Sequence, residues 1–128
     1  MVDNLLDKKT SYAIIGASNS EEKYGYKIYK QMKSLGYKVF PINPREELIL
    51  GDFAFETIDQ LPSKVDVLNF VVPPEVSKKI TNKALNMGYK IFWYQPGSFD
   101  KQVLDLHEGK DTVVINNKCL LIESSNQE

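Results

Sequence analysis

The sequence predicts a doubly wound α/β fold: a three-layer αβα sandwich around a mostly parallel sheet of five or six strands. Three observations predict it. Strand-like and helix-like segments alternate along the chain, the order that builds βαβ units. The strand segments are continuous apolar runs, as in a parallel sheet covered on both faces. The first strand ends at a glycine turn, Gly16-Ala17-Ser18, where such folds place the N-terminus of the following helix.

Tyr12-Ala-Ile-Ile15 is the first strand, closed by Gly16. The polar stretch Ser18 to Glu22 leads into a helix on which Ile28, Met32 and Leu35 recur at helical spacing, with Gly36 as its stop. Lys38 to Asn43 is the next strand, ended by Pro44. The segment Glu46 to Phe55 fits either loop or a short strand around a Gly51-Asp52 turn. Asp66 to Val72 is an apolar run stopped by Pro73-Pro74, after which Val76, Ile80, Ala84 and Met87 mark one face of a second helix closed by Gly88. Lys90 to Tyr94 is a strand, Asp100 to Glu108 a third helix, and Thr112 to Ile115 a last strand.

Leu35-Gly-Tyr-Lys-Val-Phe-Pro-Ile-Asn-Pro44 echoes Met87-Gly-Tyr-Lys-Ile-Phe-Trp-Tyr-Gln-Pro96. Each copy is a helix end, a glycine cap, a strand, and an amide side chain followed by proline. Two readings stand: a generic αβ joint, or related halves that place Asn43-Pro44 and Gln95-Pro96 at one sheet edge. Ligands of open α/β sheets bind outside the carboxyl ends of the strands, so either reading puts these residues near that edge.

The 128 residues fit one domain over positions 1–128, with its core at about 12–123. Apolar residues at 42% and charged residues at 26% suit a globular core. A formal charge of −1 disfavours a general nucleic-acid binder, which needs a basic excess, so an anionic ligand has to be held by a local arrangement. Cys119 is the only cysteine; with no intramolecular disulfide possible, a reducing, cytoplasmic setting is expected. No window approaches the roughly 18 apolar residues of a membrane span.

The glycine turn marks a Rossmann-like unit, yet the dinucleotide signature G-x-G-x-x-G is absent. Serine stands at 18 and glutamate at 21, and Gly25 follows only after a polar insertion. NAD binding also asks for an acidic residue ending the second strand, where this chain has Asn43, Pro44 and Arg45. One histidine and one cysteine exclude a zinc site of the usual composition. No P-loop and no Ser-His-Asp grouping stands out, so no catalytic residue and no metal ligand is expected.

Ile15-Gly-Ala-Ser18, Lys23-Tyr-Gly25, Phe40-Pro-Ile-Asn-Pro44, Ile49-Leu-Gly51, Asp66 through Val72-Pro73-Pro74, and Trp93-Tyr-Gln-Pro-Gly97 occur in order. With these motifs the chain resembles the stand-alone CoA-binding domain family, over roughly Tyr12 to Glu123. That family is related to the CoA-binding domains of succinyl-CoA synthetase α-subunits and of ADP-forming acyl-CoA synthetases. The resemblance implies that Gly16, Ala17 and Ser18 face the CoA pyrophosphate, with Lys23, Tyr24 and Gly25 closing over it. Asn43, Pro44 and Arg45 would line the adenosine end, Arg45 suiting the 3′-phosphate through its planar fork. Val72, Pro73 and Pro74 would border the adenine or the pantetheine arm, and Gln95 and Gly97 the adjoining strand end. Family members often carry a cysteine followed by proline near the end, whereas Cys119 precedes Leu120.

The resemblance implies a non-catalytic module for coenzyme A or an acyl-CoA, serving storage, sensing or delivery to a partner enzyme. An NAD(P)-binding sensor or degenerate oxidoreductase, and a subunit of a split acyl-CoA synthetase, are the alternatives. Neither nucleic acid nor a membrane is expected as a partner. Among single residues, Trp93 is expected in or beside the core and Tyr24, Tyr26 and Tyr29 in mixed core and surface packing. His107 is placed at a helix end that favours a cation. Cys119 is read as a small buried apolar residue, or as a thiol able to pair with that of CoA.

Overall fold

The computed structural model describes residues 5–126. Its spine is β1 (Ser11–Ile15), buried along its whole length. On one side β1 pairs in parallel with β2 (Lys38–Ile42), Ile15 opposite Ile42. On the other it pairs with β5 (Val67–Phe70), Ile15 opposite Phe70. β6 (Ile91–Tyr94) and β7 (Val113–Ile115) continue the sheet in the order β2-β1-β5-β6-β7, every pair parallel. The sheet therefore has five strands, all parallel. Strand order reverses direction between β1 and β5, which makes that gap the topological switch point.

The ambiguous segment after β2 forms a separate antiparallel hairpin of β3 (Leu48–Ile49) and β4 (Asp52–Phe53). Beyond it Phe55 pairs with the outer side of β2: its N–H donates to Pro41 O (3.0 Å) and its carbonyl accepts from Asn43 N (2.9 Å). An edge strand is thus partly covered, and Pro41, which has no donor for a ladder, is tolerated there.

Among the described residues four helices cover the sheet. On one face α1 (Tyr24–Ser34) and α4 (Leu120–Ser125) pack on Tyr12, Ile14, Val67, Trp93 and Ile115. On the other, α2 (Pro74–Asn86) and α3 (Lys101–Asp105) pack on Ala13, Ile15, Leu68, Phe70, Phe92 and Tyr94. Period-2 alternation within buried strands sends odd and even residues to opposite faces, so one short run supplies both cores.

The echoed joints have one geometry. Gly36 and Gly88 have φ of 88° and 86°. In both, the residue after the glycine donates back five residues: Tyr37 N to Met32 O and Tyr89 N to Ala84 O, each 3.1 Å. The glycines themselves donate to Lys33 O and Leu85 O, each 3.1 Å. This is the Schellman cap, whose left-handed residue favours glycine.

Several expectations are corrected. The buried face of α2 is Ser77, Thr81 and Ala84, while Val76 and Met87 are exposed. Small residues let the helix lie close to the sheet, and Thr81 Oγ1 reaches the Tyr94 hydroxyl at 2.7 Å. The third helix is confined to Lys101–Asp105, started by the Asp100 carboxylate, which accepts from Val103 N at 3.0 Å. His107 does not sit as a cation at a helix end. It is buried, its ring nitrogens lie 2.8 Å from Tyr94 Oη and 2.9 Å from Thr112 Oγ1, and burial pushes its pKa down. Trp93 is fully buried, its Nε1 donating to Lys118 O at 2.9 Å. Tyr29 is core, Tyr24 surface. Among the described residues no helix is long and apolar enough to cross a membrane.

Candidate functional site

The site begins at the turn after β1. Gly16 has φ of +101°, and a Cβ there would lie 2.5 Å from Val71 O and 2.8 Å from a Val72 methyl. Gly25, in the first turn of α1, comes still closer, since its Cβ would stand 2.0 Å from Gly16 O. Glycine at both positions is therefore a packing requirement: the helix starts in contact with the turn, and the turn in contact with the end of β5.

Asn43, the residue after β2, braces this turn. Its Nδ2 donates to Ala17 O at 2.9 Å and its Oδ1 accepts from Arg45 N at 2.8 Å. Ser18 is buried and its hydroxyl oxygen accepts from Ser20 N at 2.9 Å, so it shapes the loop. Asn19 ties the same loop to the hairpin, donating to Leu48 O at 2.8 Å and accepting from Leu50 N at 3.1 Å. The hairpin in turn is pinned to α1. The Tyr29 hydroxyl donates to Asp52 at 2.5 Å and Lys33 pairs with the same carboxylate at 2.8 Å. Those two contacts, the lysine first, hold the Asp52 carboxyl below its ordinary pKa.

Lys23 caps α1 without a side-chain hydrogen bond. The Tyr24 and Gly25 amides are thus left to another acceptor, Tyr26 N donating back to Lys23 O at 3.1 Å, and the positive end of the helix dipole favours an anionic one. Lys23 and Arg45 are exposed, and neither takes part in an ion pair among the described residues.

Beside the turn, at the carboxyl ends of β5 and β6, lies a cleft of about 480 Å³, a size typical of small-molecule sites. Tyr24, Val71, Val72, Pro73 and Pro74 form one wall, Gln95, Pro96, Gly97 and Ser98 the second, and Cys119 and Ile122 of the C-terminal segment the third. Gln95 is its buried hub. Its Oε1 accepts from Leu120 N (2.8 Å) and Asn69 Nδ2 (3.2 Å), and its Nε2 donates to Cys119 Sγ (3.2 Å). The Ser98 hydroxyl donates to Gln95 O at 2.6 Å.

Of the residues singled out in the sequence, Tyr24, Val72, Pro73, Pro74, Gln95 and Gly97 line this cleft. Gly16, Ala17, Ser18 and Gly25 build the adjoining turn, with Lys23 at the helix cap. Asn43, Pro44 and Arg45 lie on the far side of that turn and outside the cleft. Pro96, expected with Gln95 near the carboxyl edge of the sheet, lines the cleft too, whereas Val71, Ser98 and Ile122 were not anticipated. Cys119 is not the buried apolar residue expected: it is half-buried and part of the cleft wall. The third wall was missed because α4, at six residues, is too short to show helical periodicity. The apolar run Leu120-Leu121-Ile122 was its only signal. Among the described residues no three His, Cys, Asp or Glu side chains cluster to hold a metal.

Fold and site together define a Rossmann-like α/β unit. It has an open helix N-terminus and a mainly apolar cleft side by side at the switch point. The chain matches the CoA binding domain family over residues 10–125 and belongs to it. It is 38% identical over 79 residues to the α subunit of an ADP-forming acetate–CoA ligase of Pyrococcus furiosus. That stretch is 61% of this chain and only 17% of the ligase subunit. It is 22% identical over 121 residues to an uncharacterized protein of Bacillus subtilis, covering 94% of this chain and 90% of that one. A solved structure of a conserved hypothetical protein from Pyrococcus furiosus aligns with TM-score 0.84 and 33% identity, over 89% of this chain and 98% of the other.

Proposed function

We propose that the chain binds coenzyme A at the carboxyl edge of its sheet, as a cytoplasmic binding module without a reaction of its own. One observation carries this: a family match over residues 10–125 coincides with an uncapped helix N-terminus that adjoins a cleft. The residues present fit the group. Amides at the start of α1, with Gly16, Ala17 and Ser18, face the pyrophosphate, the usual partner of such an N-terminus. Lys23 and Arg45 compensate its charge locally, which a chain of formal charge −1 has to do. Tyr24 and Gly25 close the near side, Pro44 and Arg45 the adenosine end, and Val72, Pro73, Pro74, Gln95 and Gly97 the arm. Asn43 acts indirectly, since both ends of its amide are already bonded to the loop. His107, the one histidine, is held in a buried hydrogen-bond chain and is not among the cleft residues, which supports a binding role.

Thermal unfolding tests the proposal. CoA at about 100 times its dissociation constant adds roughly 2.7 kcal/mol of stability, and NAD adds none. A shift with NAD and none with CoA overturns it.

A second reading is supported by the 38% identity to the ligase α subunit: a part of a split acyl-CoA synthetase, working with an ATP-binding partner enzyme. Co-purification with such a partner, and acyl-CoA formation by the pair, would replace the non-catalytic reading.

A further inference from the structure

The lining of the cleft narrows what part of a ligand belongs in it. Among the described residues, lysine, arginine, histidine, aspartate and glutamate are all absent from its walls, so phosphates find their charge partners outside, at the glycine turn. Apart from the Tyr24 hydroxyl, the polar side chains that do line it are already engaged by protein groups. Gln95 Oε1 takes two donors, one Gln95 amide hydrogen goes to Cys119 Sγ, and the Ser98 hydroxyl goes to Gln95 O. What the cleft offers is valine and proline surface, with two large side chains at its mouth. Tyr24 and Ile122 are 58% and 59% exposed, and they face water until something apolar covers them. A glutamine amide has two hydrogens; the second one on Gln95 is left for a single carbonyl.

We infer that the cleft holds the acyl group of a short- or medium-chain acyl thioester of CoA, its carbonyl toward Gln95 at the end of the arm and its chain against Pro96 and Ile122. This rests on the CoA reading above and commits it to the loaded form of the carrier. Free CoA, whose arm lies along Val72, Pro73 and Gly97, would leave Ile122 to water, whereas an acyl chain covers it, and each methylene transferred is worth up to about fourfold in affinity.

Calorimetric titration of the whole chain with CoA, acetyl-CoA, butyryl-CoA, hexanoyl-CoA and octanoyl-CoA tests this. The dissociation constant is expected to fall by roughly two- to fourfold per added methylene until the cleft is filled, then to level off. Ile122→Ser, at an exposed position that leaves folding intact, is expected to flatten that series. Octanoyl-CoA would then lose at least fivefold more affinity than CoA does. Equal affinities for CoA and every acyl-CoA overturn the inference and leave the CoA reading standing. No binding of any of them to the folded chain overturns both.

Discussion

The two halves of the molecule use the same joint for opposite chemistry. In the β1–α1–β2 half, the glycine-capped helix leads to a strand that ends in Asn43-Pro44. In the β5–α2–β6 half, the same construction ends in Gln95-Pro96, with helix caps of matching φ and hydrogen bonds. The first half presents exposed cations and uncapped amides around a tightly packed turn. The second presents a cleft with no charged side chain among the described residues, its Gln95 and Ser98 side chains bonded to protein groups. The difference lies in what each amide reaches. Asn43 is half-buried and braces a loop beside water, whereas Gln95 is buried and braces the N–H of Leu120, at the start of α4. The comparison teaches that the backbone joint fixes where the strand end and its turn fall, while the side chain leaving it decides which chemistry each half presents there.

The glycines give the largest expected contrast. Gly25→Ala drives a methyl into the Gly16 carbonyl and should cost roughly 3 kcal/mol in urea denaturation. Gly97→Ala in the other half has nothing within 4 Å of the new atom, and should cost only about 1 kcal/mol, from its positive φ. Equal losses would show that the first turn is not packed as described.

The two amides come next. Gln95→Ala strands the Leu120 N–H inside the protein and leaves Asn69 Nδ2 only Trp93 O at 3.4 Å, at a cost of roughly 2 to 3 kcal/mol. Asn43→Ala, where water can take over, should cost about 1 kcal/mol. For the ligand, Arg45→Ala and Lys23→Ala should each weaken CoA binding by roughly five- to tenfold at low salt, with a smaller effect at high ionic strength. Substitutions at Val72 or Ile122 should show no such salt dependence. Calorimetry at two salt concentrations reads both.

The smallest effect is one of pH, and it belongs to the second half. Burial lowers the folded pKa of His107 below its ordinary 6.5. The unfolded chain therefore binds a proton more readily than the folded one across that interval. The resulting stability is complete above 6.5 and is lost as pH falls toward the lower, folded value. Urea midpoints measured across that range should drop on acidification, and His107→Asn should flatten the dependence.

Much of this was legible in the sequence. The runs at Tyr12, Lys38, Asp66, Lys90 and Thr112 read as strands because burial on both faces demands continuous apolar residues, and all five are found in the parallel sheet. Motifs at Gly16, Pro73 and Gln95 marked the carboxyl edge of the sheet, where the packed turn and the cleft are found, because strand ends need turn chemistry. What escaped reading depended on partners distant in sequence. The face of α2 was misjudged because Ser77 and Thr81 look like surface residues until the Tyr94 hydroxyl meets Thr81 from the sheet face beneath it. Likewise His107 has its ring between Tyr94 and Thr112, contacts that no local pattern announces. The third wall of the cleft was missed because a six-residue helix is defined by what holds it.

That helix offers a way to follow occupancy of the cleft. A segment of this length does not stay helical in water unaided. It persists here because Gln31 donates to Leu121 O and Ser124 Oγ (2.6 and 2.7 Å) and Gln95 holds Leu120 N. Deuterium uptake at the backbone of Leu120–Ser125 therefore reports directly on the wall that a guest molecule touches, and slower labelling there on loading would give a readout that needs no dye and no turnover.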